Sequence, residues 1–144
     1  MGEKTKVIAL DVYGTMLPSE GIQSKRKGLD SFLSRYRDSG LTLCTCSDAY
    51  IQGVLLDFEE AGLDPKYFDE FFKMERKGKD FTHEPKDFTP IIKHYNLIPQ
   101  ELIVIGDRYE RDITPALNMG CKAILVPEYC MKEDNDFDIN SILI

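Results

Sequence analysis

Long apolar runs are absent from this sequence, histidine is scarce, and acidic residues outnumber basic ones. No stretch approaches the roughly 18 apolar residues that a membrane-spanning helix requires, and the N-terminus MGEKTKVIAL lacks the apolar segment of a secretory signal. We therefore expect a cytoplasmic protein that has no membrane partner.

Cysteine and histidine usage gives no reason to expect a zinc site or a disulfide framework. The spacing of the four cysteines fits neither, and Cys44 and Cys46, two residues apart on a predicted strand, share one face. We interpret the cysteines as small buried side chains in a reducing compartment. His83 and His94 have no spacing typical of metal ligands, and we interpret both as surface residues or as residues with satisfied polar groups.

The charge balance argues against nucleic acid as a partner. Aspartate and glutamate total 25 against 18 lysines and arginines, which gives a net charge of −7 and a sequence pI of about 4.8. A broad surface for binding a phosphate backbone is not expected from such a composition. The basic stretch KMERKGK at 73–79 is either a solvated loop or a local surface suited to an anionic substrate.

Apolar periodicity alternates between strand and helix along the whole chain. Its 144 residues, 42% of them hydrophobic, suffice for one core, so we predict a single domain over 1–144. The pattern predicts strands at 7–10, 41–46, 68–74, 102–105 and 122–126, and helices at 25–39, 49–61, 87–95 and 113–119. The first two helices have their apolar faces at Leu29, Phe32, Leu33 and Tyr36, and at Ile51, Val54, Leu55 and Phe58. Repeated βα units imply right-handed crossovers and a parallel sheet covered on both faces, a three-layer α/β/α Rossmann-like fold.

Two apolar strands of this pattern run directly into acids. In VIALDVYGTML the first strand ends at Asp11, and in LIVIGDRYERD the fourth leads through Gly106 to Asp107, with Asp112 five residues later. Ligands of parallel sheets gather at the carboxyl ends of the strands. A pair of carboxylates there is suited to holding a hard cation such as Mg²⁺ beside a nucleophile or a phosphate.

These ordered motifs resemble those of the haloacid dehalogenase superfamily of phosphatases and related hydrolases. DVYGT is similar to its first motif, LTLCTCSD to its second and GDRYERD to its fourth, and the likeness covers nearly the whole chain. The resemblance implies a five-stranded sheet in the order 5-4-1-2-3, which places Asp11 and Asp107 on neighbouring strands. It also implies a Mg²⁺-dependent hydrolase that acts on a phosphorylated small molecule or macromolecule.

The resemblance assigns a role to each acid. Asp11 is expected to attack phosphorus and form an aspartyl-phosphate, which water then hydrolyses. Mg²⁺ is expected to be held by Asp11, Asp107 and the backbone carbonyl of Tyr13, with Asp112 either a ligand or a supporting residue. Alternatively, Asp112 is an acid placed at a helix N-terminus by the helix dipole.

Phosphate contacts are expected from the loops after the first two strands. The candidates are the Ser47 hydroxyl and nearby groups of Gly14, Thr15 and Asp48, with Thr45 as the alternative to Ser47. Gly14 lets the backbone come close to the phosphate. Ser47 or Asp48 could instead cap the helix that follows.

The third motif of the superfamily is a lysine that offsets the negative charge of the nucleophile and the phosphate. Lys86, in HEPKDFTPII, is 21 residues before Asp107 and is our candidate. Lys79, on a longer loop, is the alternative. Alternatively, Lys86 has no catalytic role and is a solvated lysine at the start of a helix.

Two departures from the family pattern bear on function. Phosphatases of the superfamily have a second aspartate two residues after the nucleophile, as general acid and base, whereas this chain has Tyr13, which resembles the dehalogenase branch. The intervals from Asp11 to Ser47 and from Ser47 to Lys86 leave no room for an inserted cap domain, so a homo-oligomer or a macromolecular substrate is expected. Our leading interpretation is a phosphatase-like hydrolase; the alternatives are a dehalogenase-like or other hydrolase, and a weakly active phosphate-binding or regulatory protein.

Overall fold

The computed structural model describes residues 4–75, 85–130 and 136–144 and is built around one parallel sheet. Its strands are β1 (Val7–Leu10), β2 (Thr42–Ser47), β3 (Glu70–Lys73), β4 (Leu102–Gly106) and β5 (Lys122–Leu125). They are arranged in the order β3-β2-β1-β4-β5. This is the predicted order viewed from the opposite edge, so the predicted fold class and strand order are confirmed.

Helices cover both faces of the sheet. They are α1 (Leu29–Asp38), α2 (Ile51–Ala61), α3 (Thr89–His94) and α4 (Thr114–Asn118), the last preceded by one π-helical turn at Tyr109–Ile113. One apolar cluster joins α1 and α2 to Ile8 and Leu10 of β1, and a second joins α3 and α4 to Val7 and Ala9. Alternate β1 side chains therefore enter opposite layers. In the part of the chain described, no helix is long and apolar enough to cross a membrane.

Helix boundaries differ from the predicted ones by a few residues. The first helix begins at Leu29 rather than at 25, because Gly28 has a left-handed backbone (φ +80°) that cannot continue a helix. The predicted face of α1 is buried throughout. On α2, by contrast, Val54 and Phe58 are buried while Ile51 and Leu55 are 38% and 39% exposed, so half of the predicted stripe is wrong.

All four cysteines are buried and form no disulfide with one another. Cys44, Cys46 and Cys121 belong to the second apolar cluster, where they act as small core side chains. Burial raises the pKa of the Cys46 thiol well above its ordinary value, which keeps it protonated. The interpretation of the cysteines as buried apolar residues is confirmed.

The strand register brings three strand ends to one edge of the sheet. Leu10 of β1 pairs with Thr45 of β2 on one side and with Ile105 of β4 on the other. Residues just beyond these three strands therefore share the carboxyl edge, where ligands of such sheets bind.

Candidate active site

Three carboxylates meet at the carboxyl edge of the sheet. Asp11 leaves β1 with its amide donating to Ile105 O at 2.9 Å, so β4 fixes its backbone. Side-chain oxygens of Asp11, Asp107 and Asp112 all lie within 4.8 Å of one another. Asp11 and Asp112 are buried and Asp107 is half-buried. The structure thus brings together the three acids that the sequence places beyond β1 and β4.

Lys86 contacts two acids of this cluster. Its Nζ is 2.8 Å from Asp11 Oδ1 and 2.7 Å from Asp112 Oδ1, and its amide donates to Arg111 O at 3.0 Å. The side chain is only 4% exposed, so the interpretation of Lys86 as a solvated lysine is wrong. Burial alone would lower the pKa of Lys86, but the charges of Asp11 and Asp112 raise it above the ordinary lysine value. Lys79, the alternative, lies outside the described residues.

The acids outnumber the cation that holds them. Burial, followed by the charge of Asp11, raises the pKa of Asp107 to about 7. Burial and Asp11 also raise the pKa of Asp112 to about 6, although Lys86 opposes this. The contact between Lys86 and Asp112 Oδ1 is not aligned as a hydrogen bond, and that buried oxygen has no hydrogen-bond partner among the described residues.

This arrangement fits a divalent cation. With all three carboxylates ionised, Lys86 offsets only one of three negative charges, and oxygen is the donor that Mg²⁺ prefers. Asp11, Asp107 and Asp112 are the residues that could hold such an ion. The contribution of the Tyr13 carbonyl remains a prediction.

The π-helical turn places Asp112. The Asp112 amide donates to Arg108 O at 2.9 Å, and the Arg108 amide donates back to Asp112 Oδ2 at 3.2 Å. This reciprocal pair turns the carboxylate inward, where it is fully buried beside Lys86. The helix-dipole interpretation of Asp112 is therefore insufficient, since an acid placed only for the dipole would remain solvated.

Gly14 and Thr15 contact the loop and the acids. Their amides donate within the loop, from Gly14 to Leu17 O at 2.7 Å and from Thr15 to Val12 O at 3.3 Å. The buried Thr15 hydroxyl lies 3.1 Å from Asp107 Oδ1 and 3.4 Å from Asp11 Oδ2. The expected phosphate contacts of these two residues remain a prediction.

Gly14 is also the position where the loop approaches Asp107 most closely. Its φ is +85°, and a Cβ atom there would overlap Asp107 Oδ2. We expect Gly14→Ala to lower the free energy of unfolding by about 1–3 kcal/mol from the left-handed backbone alone, and to displace Asp107. Urea unfolding measures the change. Gly53→Ala is the control: Gly53 lies inside α2 with open space around it, and we expect a gain of about 0.5–1 kcal/mol. Equal effects at the two positions would contradict this account.

Ser47 and Asp48 lie across the cleft from the acids. Ser47 Oγ accepts the Ala49 amide at 3.1 Å, which leaves the hydroxyl able to donate to a ligand. The Asp48 carboxylate pairs with Arg111, so its side chain is directed to that cation rather than to a phosphate. Residue 50 is the N-cap of α2, with no side-chain cap, so the capping interpretation of Ser47 and Asp48 is wrong. Thr45, the alternative to Ser47, is buried within β2 and does not line the cleft.

The Tyr13 side chain lines the cleft and is held by helix α2. Its hydroxyl donates to Asp57 Oδ2, a residue 44 positions away in the sequence. Burial, followed by the hydrogen bond to Asp57, raises the pKa of Tyr13 far above the ordinary value, so the phenol is neutral. Nothing in the sequence pattern indicated this contact.

Three arginines of the site were not predicted. Arg108 and Arg111 line the cleft from the turn after β4. Arg26 is buried behind the first loop, where its Nη1 lies 3.2 Å from Thr15 O and 3.4 Å from Gly14 O. The RYER letters of GDRYERD were a local signal for the first two. No pattern around Arg26 indicated its contacts with Gly14 and Thr15, because those contacts depend on the tertiary fold.

The cleft is small and polar. Its volume is about 160 Å³. The lining residues are Asp11, Tyr13, Ser19, Ser47, Asp48, Lys86, Asp107, Arg108, Arg111 and Asp112. A phosphoryl group fits such a space, and the rest of a larger substrate would lie outside it.

His94 is a surface residue, as predicted. Its Nε2 lies 3.8 Å from Glu70 Oε1. Together with Asp69 these two residues form an exposed group, whereas the strand-end acids are buried or half-buried. His83 lies outside the described residues.

Comparison with known proteins finds similarity to one family model and to solved structures. Residues 83–132, which include Lys86, Asp107 and Asp112, match a family model described as HAD-hydrolase-like. Solved structures with a similar fold cover most of the chain. An L-2-haloacid dehalogenase from Xanthobacter autotrophicus is 12% identical, with a TM-score of 0.69 over 85% of this chain and 77% of that one. The chain is thus similar to this family model over residues 83–132 and to the dehalogenase in fold.

Two further structures of similar fold have descriptions that mention a phosphatase or phosphate. A protein described as a predicted phosphoglycolate phosphatase from Haemophilus somnus 129PT is 14% identical, with a TM-score of 0.68 over 91% of this chain and 89% of that one. CbbY from Rhodobacter sphaeroides, in complex with phosphate, is 12% identical, with a TM-score of 0.67 over 94% of this chain and 92% of that one. At these identities the likeness establishes the fold alone. No curated protein matches the sequence significantly.

Proposed function

We propose that the protein is a Mg²⁺-dependent phosphatase-like hydrolase that forms an aspartyl-phosphate at Asp11. The observation on which this rests is the convergence of Asp11, Asp107 and Asp112, two of which contact Lys86, in a small polar cleft that Ser47 also lines. The fold relatives that are described as a phosphatase or in complex with phosphate support the same chemistry.

Four residues of the cleft act directly on the phosphoryl group or its charge in this reaction. The Asp11 carboxylate attacks phosphorus as the leaving oxygen departs, and water then cleaves the aspartyl-phosphate. Lys86 stays protonated throughout and offsets the negative charge of Asp11 and the phosphoryl group. The Ser47 hydroxyl donates to a phosphoryl oxygen, and the Arg108 side chain lies in the cleft as a further cation. Mg²⁺, when bound, would screen the carboxylates from the phosphate dianion.

Release of inorganic phosphate tests the function directly. A set of phosphomonoesters that includes p-nitrophenyl phosphate is incubated with the protein in Mg²⁺ and in EDTA. We expect phosphate release with Mg²⁺ and none with EDTA. Turnover that is equal in the two conditions would contradict metal dependence, and its absence for every ester would contradict the phosphatase proposal.

Asp107→Asn is expected to weaken Mg²⁺ binding. The change removes one of the three charges that face the ion, and even residues that only support metal ligands cost about 10–100-fold in affinity. We expect a Kd for Mg²⁺ at least about 10-fold higher by calorimetry, and activity that excess Mg²⁺ partly restores. Asp69→Asn, in the exposed acid group on the other side of β2, is the control and should leave the Kd unchanged. Unchanged affinity in Asp107→Asn would remove Asp107 from the metal site.

A second candidate function follows from Tyr13. A neutral phenol in place of an acid–base carboxylate suits either a dehalogenase-like hydrolase or a phosphate-binding protein with little turnover. Chloride release from 2-chloropropionate would favour the first, and binding of Mg²⁺ and phosphate without turnover would favour the second.

We also propose an assembly of several copies or a large phosphorylated substrate, since the small cleft encloses little more than the phosphoryl group.

A further inference from the structure

The contact between Tyr13 and Asp57 lies where this chain differs most from phosphatases of the superfamily that it resembles. Tyr13 follows Asp11 by two residues and lines the same cleft. Its hydroxyl donates to the half-buried carboxylate of Asp57, which lies in the middle of α2. A carboxylate is thus present next to this position, although it comes from a different element of the fold.

A half-buried tyrosine needs a hydrogen-bond partner, but a carboxylate provides more than an anchor. The phenol donates its only proton to Asp57 and keeps a lone pair on its oxygen. Partial charge transfer to that oxygen makes it a better acceptor, as in other chains of hydrogen bonds. A water molecule on the cleft side could therefore pass a proton to Tyr13 as Tyr13 passes its own to Asp57.

We propose that Tyr13 and Asp57 act together as the general base that activates water for hydrolysis of the aspartyl-phosphate. Tyr13 contacts the water, and Asp57 is a positioning residue that acts through Tyr13. This inference rests on the proposed function, because it concerns the second half of that reaction.

The proton transfers in this step balance. The water oxygen forms a bond to phosphorus while the bond between phosphorus and the Asp11 oxygen breaks, which frees the Asp11 carboxylate. One water proton moves to the Tyr13 oxygen, and the Tyr13 proton moves to Asp57. The products are inorganic phosphate, ionised Asp11, neutral Tyr13 and protonated Asp57, which then returns its proton to solvent.

The two half-reactions separate this role from a structural one. With p-nitrophenyl phosphate, nitrophenol appears when Asp11 is phosphorylated and phosphate appears when water attacks. Asp57→Asn keeps an oxygen that accepts from Tyr13 but cannot take its proton, and Tyr13→Phe removes the relay. General bases contribute about 10²–10⁴-fold. We expect each variant to slow phosphate release about 10²-fold and to show a burst of nitrophenol at an unchanged rate.

Three further variants sharpen the test. The double variant should be no slower than either single variant, because both changes break one relay. Tyr13→Asp in the Asp57→Asn background should restore phosphate release, since a carboxylate at position 13 needs no relay. Glu60→Gln, which changes an exposed acid of the same helix, should match the wild type. Thermal unfolding by circular dichroism confirms that each variant is folded.

Several outcomes would overturn the relay. Phosphate release that is unchanged in Asp57→Asn would make Asp57 an anchor for the ring alone. Faster release would mean that Asp57 holds Tyr13 away from the reaction, and equal slowing of both half-reactions would indicate a displaced loop. If wild-type protein releases neither nitrophenol nor phosphate, the proposed function itself fails, and the relay fails with it.

Discussion

Asp11→Asn is expected to abolish phosphate release while the fold is kept. The amide preserves the shape of the side chain but cannot attack phosphorus, and covalent enzymes that lose their nucleophile lose about 10⁶-fold in kcat. Phosphate release under Mg²⁺ should therefore fall to the detection limit for every ester that the wild type hydrolyses. Asp38→Asn, at the exposed end of α1, is the matched control and should retain full activity.

The same substitution should leave the metal-free protein at least as stable as the wild type. Lys86 keeps Asp112 as a partner, and the repulsion that raises the pKa of Asp107 is partly removed. Urea unfolding in EDTA measures this. A folded variant with near-normal hydrolysis would exclude Asp11 as the nucleophile. A variant that unfolds would instead mean that the Asp11–Lys86 contact is needed for folding.

The parts of the fold that could be predicted are those that local sequence determines. The apolar runs before Asp11 and Asp107 predicted β1 and the start of β4 correctly, because strands buried on both faces allow few polar residues. Helix starts were less accurate, since they depend on backbone geometry such as the left-handed Gly28. Periodicity also could not decide how much of an apolar stripe is covered, so Ile51 and Leu55 were wrongly expected to be buried.

Some residues of the candidate site could likewise be predicted from local sequence, and some of its contacts could not. Asp11, Ser47 and Asp107 lie next to strand ends, and the parallel topology alone brings such residues to one edge. The contacts of Tyr13 with Asp57 and of Arg111 with Asp48 join residues 44 and 63 positions apart. They depend on how α2 and the π-helical turn sit on the sheet. Strand patterns contain no information on such contacts, and this is why the environment of Tyr13 had to come from the structure.

Lys86→Met is expected to have the largest effect on stability. Lys86 is the cation that the buried acids Asp11 and Asp112 share, and removing one partner of a buried ion pair costs about 3–5 kcal/mol. We expect a loss of this size by urea unfolding in EDTA, together with loss of activity. Lys93→Met, at an exposed position of α3, should change the free energy of unfolding by no more than about 0.5 kcal/mol.

The stability lost in Lys86→Met should depend on pH and on Mg²⁺ in a defined direction. In the folded protein the pKa values of Asp107 and Asp112 are about 7 and about 6, above that of aspartate in the unfolded chain. The folded state therefore holds more protons than the unfolded state, and its stability falls as pH rises from about 4 to about 7. Without Lys86 the carboxylates repel more strongly, so Lys86→Met should lose more stability at pH 8 than at pH 5. Adding Asp112→Asn or Mg²⁺ should each recover part of it, because the first removes a charge and the second replaces the missing cation. A loss that is equal at both pH values and insensitive to Mg²⁺ would mean that Lys86 stabilises the fold by packing alone.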